Sequence, residues 1–307
     1  MTPEPPPFLR DLPDGRKISA ASFGCSSIWA KPTFDERTAM DLLDAAVDGG
    51  INSFDTGPSY ANGVAESRLG NWLRQHRPGP ELLISTKVGT NFDTAGGRVR
   101  SFVPADMERS LTDSLARLGR EHVDILYLHG PATTDLNDEV QRFFEREKQR
   151  GRIFWSGVNS FHQAVLECCV RLPVDAIMLQ YNVSDQRSET LLPRLAGPSR
   201  IIVAGTALAQ AIYSPRNFLP KNRAQLWYLL RALKSNPLFM LEGARLKRRM
   251  DDIEGTGTSV ALRFVVGHPL IHSAFFGTSS VAHMRENIES ARQPLTQRQR
   301  ASLLTSM

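Results

Sequence analysis

The chain has 307 residues, with 37 Lys and Arg against 32 Asp and Glu, giving a formal net charge of +5. That length suits a single barrel-sized domain, taken as residues 1–307, and allows a large buried core. The modest charge and the lack of a dense basic tract argue against a nucleic-acid partner, and no apolar run approaches the roughly 18 residues that would cross a membrane.

The N-terminus, MTPEPPPFLRD, is proline-rich and acidic without a basic n-region, and reads as a short arm on a cytoplasmic protein. Leu9 to Ala20 (LRDLPDGRKISA) places Asp-Gly between two short segments and predicts a hairpin. Ser19 to Cys25 predicts the first strand. Phe34 to Gly49 predicts an amphipathic helix with Ala39, Leu42, Leu43, Ala46 and Val47 on one face, stopped at Gly49-Gly50. Ile51 to Phe54 is a short apolar run ending at Asp55, followed by a Gly-Pro turn, Tyr60, and helical spacing over Ala65 to Arg74. Leu82 to Ser85 predicts a strand preceding Lys87, and Pro104 to Leu118 a helix with proline near its start. Val123 to Leu128 is the fourth strand, with His129 after it, and Asp138 to Gln149 the next helix. Arg152 to Ser156, Ala176 to Leu179, Ile201 to Ala204 and His272 to Phe276 bring the apolar runs to eight.

Repeated strand-helix units imply a parallel sheet with right-handed crossovers, and eight of them fit a closed barrel better than an open sheet. The competing doubly wound dinucleotide fold lacks a G-x-G-x-x-G after the first strand. The expected class is therefore α/β, a (β/α)8 TIM barrel with an N-terminal hairpin and an insertion after strand 7. In that insertion, residues 205–271, Ser214 to Asn222 is loop-like and Gln225 to Arg249 has helical spacing. The basic run Arg245 to Arg249 reads as a solvated helix face. Leu295 to Leu304 reads as a final helix. Cys25, Cys168 and Cys169 are expected as reduced thiols, and no metal site is expected.

Asp55, Tyr60, Lys87 and His129 stand at or just beyond strand ends, where β/α barrels place catalytic groups. Singly, each has an ordinary reading: a turn-capping Asp, a loop aromatic, a solvated Lys, a core His. The segments FDTGPSY…AESRLGNWL, ISTKVG, VDILYLHGP, GVNSF, MLQYN and FGTSSVAHMRENI together resemble the aldo-keto reductase family over nearly the whole chain. That resemblance implies a catalytic tetrad of Asp55, Tyr60, Lys87 and His129. An ammonium roughly 4 Å from a phenol, at an effective dielectric near 20, favours the phenolate by about 4 kcal/mol, so Lys87 is expected to bring Tyr60 towards working pH. Asp55 would keep Lys87 cationic, and His129 would place the substrate oxygen.

Gly277-Thr278-Ser279-Ser280 opens a helix over Val281 to Ser290, and such a start is either a phosphate cradle or a plain serine cap. The resemblance implies that this segment binds an adenosine 2′-phosphate and that Glu286 and Asn287 contact adenine. It further implies that Asn159, Ser160 and Gln180 hold the nicotinamide amide, with Asn159-Ser160 transposed from the family order. Gly24 and Cys25 match a cofactor-facing loop, while Thr206 and Leu208 stand where relatives straddle the pyrophosphate. Gly277 and His283 occupy positions where many relatives have Lys and Arg, leaving hydroxyls, backbone N–H groups and a base such as Arg285. The implied cofactor is NADPH/NADP+, with NADH as the alternative.

The implied substrate is an aldehyde, ketone, sugar or alcohol. The spacing after Tyr60 is reminiscent of the aldose and galactose dehydrogenase branch, and Trp29, Phe92 and Tyr213 are candidates for the pocket mouth. Two other readings stand beside it: a nucleotide-sensing protein like the potassium-channel β subunits, and a barrel isomerase or hydrolase using Tyr60 and His129 without nicotinamide.

Overall fold

Short apolar runs bounded by turn residues become the staves of a closed parallel barrel. The computed structural model describes residues 7–76, 82–92, 97–209 and 239–304. Strands β1 (Leu9–Asp11) and β2 (Lys17–Ser19) form the expected antiparallel hairpin. The turn between them uses Gly15 at φ +85°, a conformation that glycine adopts without a Cβ penalty. Arg10 donates to the carbonyls of Val266 and Ile271, and Arg16 pairs with Asp124 at 2.6 Å, which fastens the hairpin to the N-terminal end of the barrel.

The barrel strands are β3 (Ala21–Gly24), β4 (Ser53–Asp55), β5 (Leu83–Val88), β8 (Val123–His129), β9 (Ile153–Ser160), β10 (Ala176–Gln180), β11 (Ile201–Gly205) and β12 (Ser273–Phe276). They close in that order, β12 pairing with β3, and every pair is parallel. A second ribbon, β6 (Thr90–Phe92) with β7 (Arg98–Arg100), follows β5 and was not anticipated, because TNF and RVR carry too little apolar periodicity to signal strands.

Side chains alternate between two cores, as the pleat requires. Leu83, Ile125, Tyr127, Trp155, Met178, Val203 and Phe275 fill the barrel, closed below by Leu12 and Ile18 of the hairpin. The intervening residues, among them Phe54, Ile84, Leu126, Val158, Ile177, Ile202 and Phe276, pack outward against the helices.

Helices Pro104–Leu118 and Asp138–Gln149 have the expected limits, set by Pro at N1 with Gly119 at the C-cap, and by the Asn137 side chain accepting from Glu139 and Val140 N–H. Glu36–Asp48 and Val64–His76 lie where helices were expected. The helix Val64–His76 lies against Pro104–Leu118 through Gly70, where a Cβ would stand 2.2 Å from the Arg117 carbonyl oxygen.

Beyond β11, positions Ser214 to Asn222, Tyr213 and the first part of the helical spacing from Gln225 lie outside the described residues. The later part is the helix Phe239–Asp251, followed by Gly257–Val266, which leads into β12. Gln297–Leu303 is the last helix, within the expected span. Among the described residues no helix is long and apolar enough to cross a membrane. The three cysteines are free thiols.

Candidate active site

The strand ends opposite the hairpin bring the four candidate catalytic residues together. Lys87 was expected just after its strand; instead β5 runs on to Val88, and Lys87 lies within it. Leu83, Ser85 and Lys87 share the inward parity, so the lysine stem stands inside the barrel and is only 1 % exposed. Register places Asp55 of β4 beside Ser85. The Lys87 ammonium donates to Asp55 Oδ2 at 2.5 Å and to the Thr56 carbonyl at 2.7 Å, while Ser85 Oγ donates to Asp55 Oδ1 at 2.7 Å. A buried carboxylate and a buried ammonium thus satisfy each other.

Tyr60 lies beyond β4 with its ring over this pair, 4.9 Å from Lys87 Nζ to the ring centroid. His129 at the end of β8 meets it edge to face, with centroids 5.9 Å apart at 79°. The His129 Nδ1 is 3.3 Å from Ser59 Oγ.

Burial sets the protonation states. It is the largest influence on Tyr60 and raises the phenol above its ordinary value; Lys87 pulls the other way, and Asp55 adds to the rise. Lys87 does pull Tyr60 down as expected, but the expectation that this brings the phenol towards working pH is corrected: desolvation of the phenolate outweighs the ammonium, and the phenol stays above its ordinary value. Burial also works against the Lys87 charge, but Asp55 and Tyr60 more than offset it and hold the ammonium above its usual range. His129 is held down to about 3 by burial and then by Lys87, Arg98 and Arg100, so its imidazole is neutral.

Three of the four, Asp55, Tyr60 and His129, line a cleft of 680 Å³. Of the residues the family resemblance assigned to a cofactor, Gly24, Asn159, Thr206, Leu208, Gly277, Thr278 and Ser279 line it as well. The others do not, each for a local reason. Cys25 and Ser160 follow the inward-facing Gly24 and Asn159, so the pleat turns them outward, and both are buried. β9 extends to Ser160 rather than stopping at Ser156, which is what gives Asn159 its inward parity. Gln180 ends β10 but is not a lining residue; Met178, two residues earlier, is. Ser280 caps the helix Val281–Ala291, accepting from His283 N–H at 3.5 Å. His283 and Glu286 are exposed on that helix, Glu286 accepting from Thr256 Oγ1 at 3.2 Å, and Asn287 is buried.

Sequence reasoning missed Ser26, Ser27, Ile28, Phe161, Met178 and Phe275, which also line the cleft. Met178 and Phe275 were readable from inward parity; Phe161 and Ser27 lie in connections without a period. Trp29, a candidate, does line the cleft, held by Nε1 donating to the Ala39 carbonyl at 3.3 Å and by the Arg68 guanidinium above its ring. Phe92 does not.

The chemistry of the lining fits a dinucleotide. The Asn159 side-chain amide lines the cleft and makes no hydrogen bond to another described residue, so its donor and acceptor are open to a ligand there. Where β12 meets β3 the surface is backbone: a Cβ at Gly277 would have only the Gly24 carbonyl oxygen nearby, at 3.8 Å. Thr278 and Ser279 add hydroxyls just before a helix start, a setting suited to phosphate.

The Aldo/keto reductase family model matches residues 22–304. An uncharacterized oxidoreductase of Bacillus subtilis, YqkF, is 27% identical over 280 residues, covering 89% of this chain and 87% of the relative. The D-threo-aldose 1-dehydrogenase of a Pseudomonas species is 27% identical over 304 residues, covering 90% of each. The holo form of aldo-keto reductase AKR11C1 from Bacillus halodurans superposes with a TM-score of 0.78 at 25% identity, covering 97% of this chain and 95% of that one.

Proposed function

The chain belongs to the aldo/keto reductase family of oxidoreductases, and from that premise we propose that it transfers a hydride between NADP(H) and a carbonyl or alcohol substrate, with Tyr60 as the proton donor. The observation that carries this reading is the meeting of the Tyr60 hydroxyl, the Asp55-paired Lys87 and the neutral His129 beside one cleft.

Bound nicotinamide supplies the hydride, which no side chain can. Asn159 would hold its amide, and Thr278, Ser279 and the backbone at Gly277 its phosphate end. As the carbonyl carbon is reduced, its oxygen gains negative charge and takes the Tyr60 proton. A phenol kept protonated by burial is ready for that direction. The adjacent ammonium favours the phenolate left behind, so Lys87 acts more strongly after the transfer than before it. In the tautomer in which Nδ1 accepts from the Ser59 hydroxyl, His129 carries its proton on Nε2 and can donate it to the same oxygen. The aldose dehydrogenase of Pseudomonas suggests sugars among the substrates to test.

Following nicotinamide absorbance with NADPH and NADH against aldehydes, ketones and sugars tests the reading. Consumption of reductant that depends on both substrate and Tyr60 is expected. Loss of every such signal in a folded protein that binds neither cofactor would overturn it.

A further inference from the structure

The ribbon after β5 holds two cations beside the catalytic end of the cleft. In β6 and β7, Thr90 stands opposite Arg100 and Phe92 opposite Arg98. Opposed residues of a two-stranded ribbon project from the same face. That face is fastened to the end of β8: Thr90 Oγ1 donates to the His129 carbonyl at 2.9 Å, and Arg100 donates to the Gly130 carbonyl. Arg98 is on the same face, two pairs nearer the tip. It lies within electrostatic reach of both Tyr60 and His129, and Arg100 within reach of His129.

Both guanidiniums are exposed, and among the described residues no carboxylate pairs with either. The carboxylate that lines this end, Asp55, is neutralised by Lys87. Among the described residues these two cations are therefore not balanced by a paired carboxylate, and such charge concentrates anions. The Gly277–Ser279 turn lies nearly across the eight-strand ring, so these cations stand on the His129 side of the barrel, just outside the lining of the cleft, and away from the end suited to cofactor phosphate.

Building on the carbonyl-reductase reading, we propose that the substrate carries an anionic group, a carboxylate or a phosphate monoester, and that Arg98 selects it. A planar guanidinium receives either group through paired charge-assisted hydrogen bonds, while the reacting carbonyl rests at Tyr60 and His129. Arg100, held on the Gly130 carbonyl, adds to the attracting field.

Two matched pairs test this: succinate semialdehyde against butanal, and glyceraldehyde 3-phosphate against glyceraldehyde, each with NADPH. The anionic member should have the higher kcat/KM at low salt, and the pair with the larger ratio identifies the preferred anion. That ratio should fall about fivefold or more in Arg98→Gln, chiefly through KM, and survive only in part in Arg98→Lys, which keeps the charge but not the paired geometry. Calorimetric binding of succinate and glycerol 3-phosphate, which have no reducible carbonyl, should weaken in Arg98→Gln as well. Ratios near one in the wild type, or unchanged by Arg98→Gln, would overturn the proposal. Arg98-dependent anion binding without reduction of any carbonyl would sink the hydride-transfer reading alone. Reduction of neutral carbonyls with no Arg98 effect would sink the anion site alone.

Discussion

Lys87 and Tyr60 flank Gly57, the ammonium 4.9 Å from the centroid of the phenol ring. One burial thus acts on two groups in opposite ways. It holds the phenol in its protonated form, and it makes the nearby charge strong because little water screens it. Replacing Tyr60 with Phe removes the proton donor and leaves the packing. We expect carbonyl reduction to fall by about 10²-fold or more, with cofactor affinity within about threefold of wild type. Steady-state kinetics and a fluorescence titration of NADPH check the two halves, and a variant that keeps most of its turnover would remove Tyr60 from this role.

Lys87→Met strands Asp55 as a buried carboxylate with Ser85 as its remaining side-chain partner. Breaking a buried ion pair from one side costs on the order of 3–5 kcal/mol. Urea unfolding should show a loss of that order, and the double variant Asp55→Asn, Lys87→Met should recover a good part of it. Equal instability of the single and double variants would contradict the account.

The depressed His129 value has a readable pH signature. Its folded value is about 3, against 6.5 in an unfolded chain. Between those values the unfolded state binds the extra proton, so stability rises with pH across the window and is lost as pH falls from about 6.5 towards 3. Between pH 7 and 5 the wild type should lose on the order of 2 kcal/mol more than His129→Gln does. Parallel pH dependences of the two proteins would refute a buried, neutral imidazole.

Away from the cleft, Arg300 of the last helix pairs with Glu189 at 2.7 Å and bonds to the Tyr181 hydroxyl, while its guanidinium lies 5.2 Å from the Phe264 centroid. Burial raises the carboxyl of Glu189, but hydrogen bonds from His268, Arg300 and Tyr181 outweigh it and hold the group at about 2. Arg300→Met should destabilise the protein by about 3 kcal/mol, with unchanged kcat, because the cluster lines no part of the cleft. A large fall in kcat at full occupancy would show that the C-terminal helix reaches the chemistry.

The barrel was legible because local rules repeat. Eight apolar runs, capped helices such as Pro104–Leu118, and an acid, a lysine and a histidine near strand ends are properties of short windows of chain. Alternation carried further than it was taken: once β9 is known to reach Ser160, the pleat itself selects Asn159 and rejects its neighbour. The ribbon at β6 and β7 was not legible, since its residues are short and polar and its place depends on bonds to His129 and Gly130, distant in sequence.

Residue type and spacing by themselves determined which groups would gather at one end of the barrel. Only the folded chain decided their charge states and their neighbours. The state of a phenol or an imidazole depends on how much water is removed around it, and that is a sum over every packed element. No local stretch of sequence contains that sum, which is why Tyr60 shifted up where its lysine alone would have taken it down.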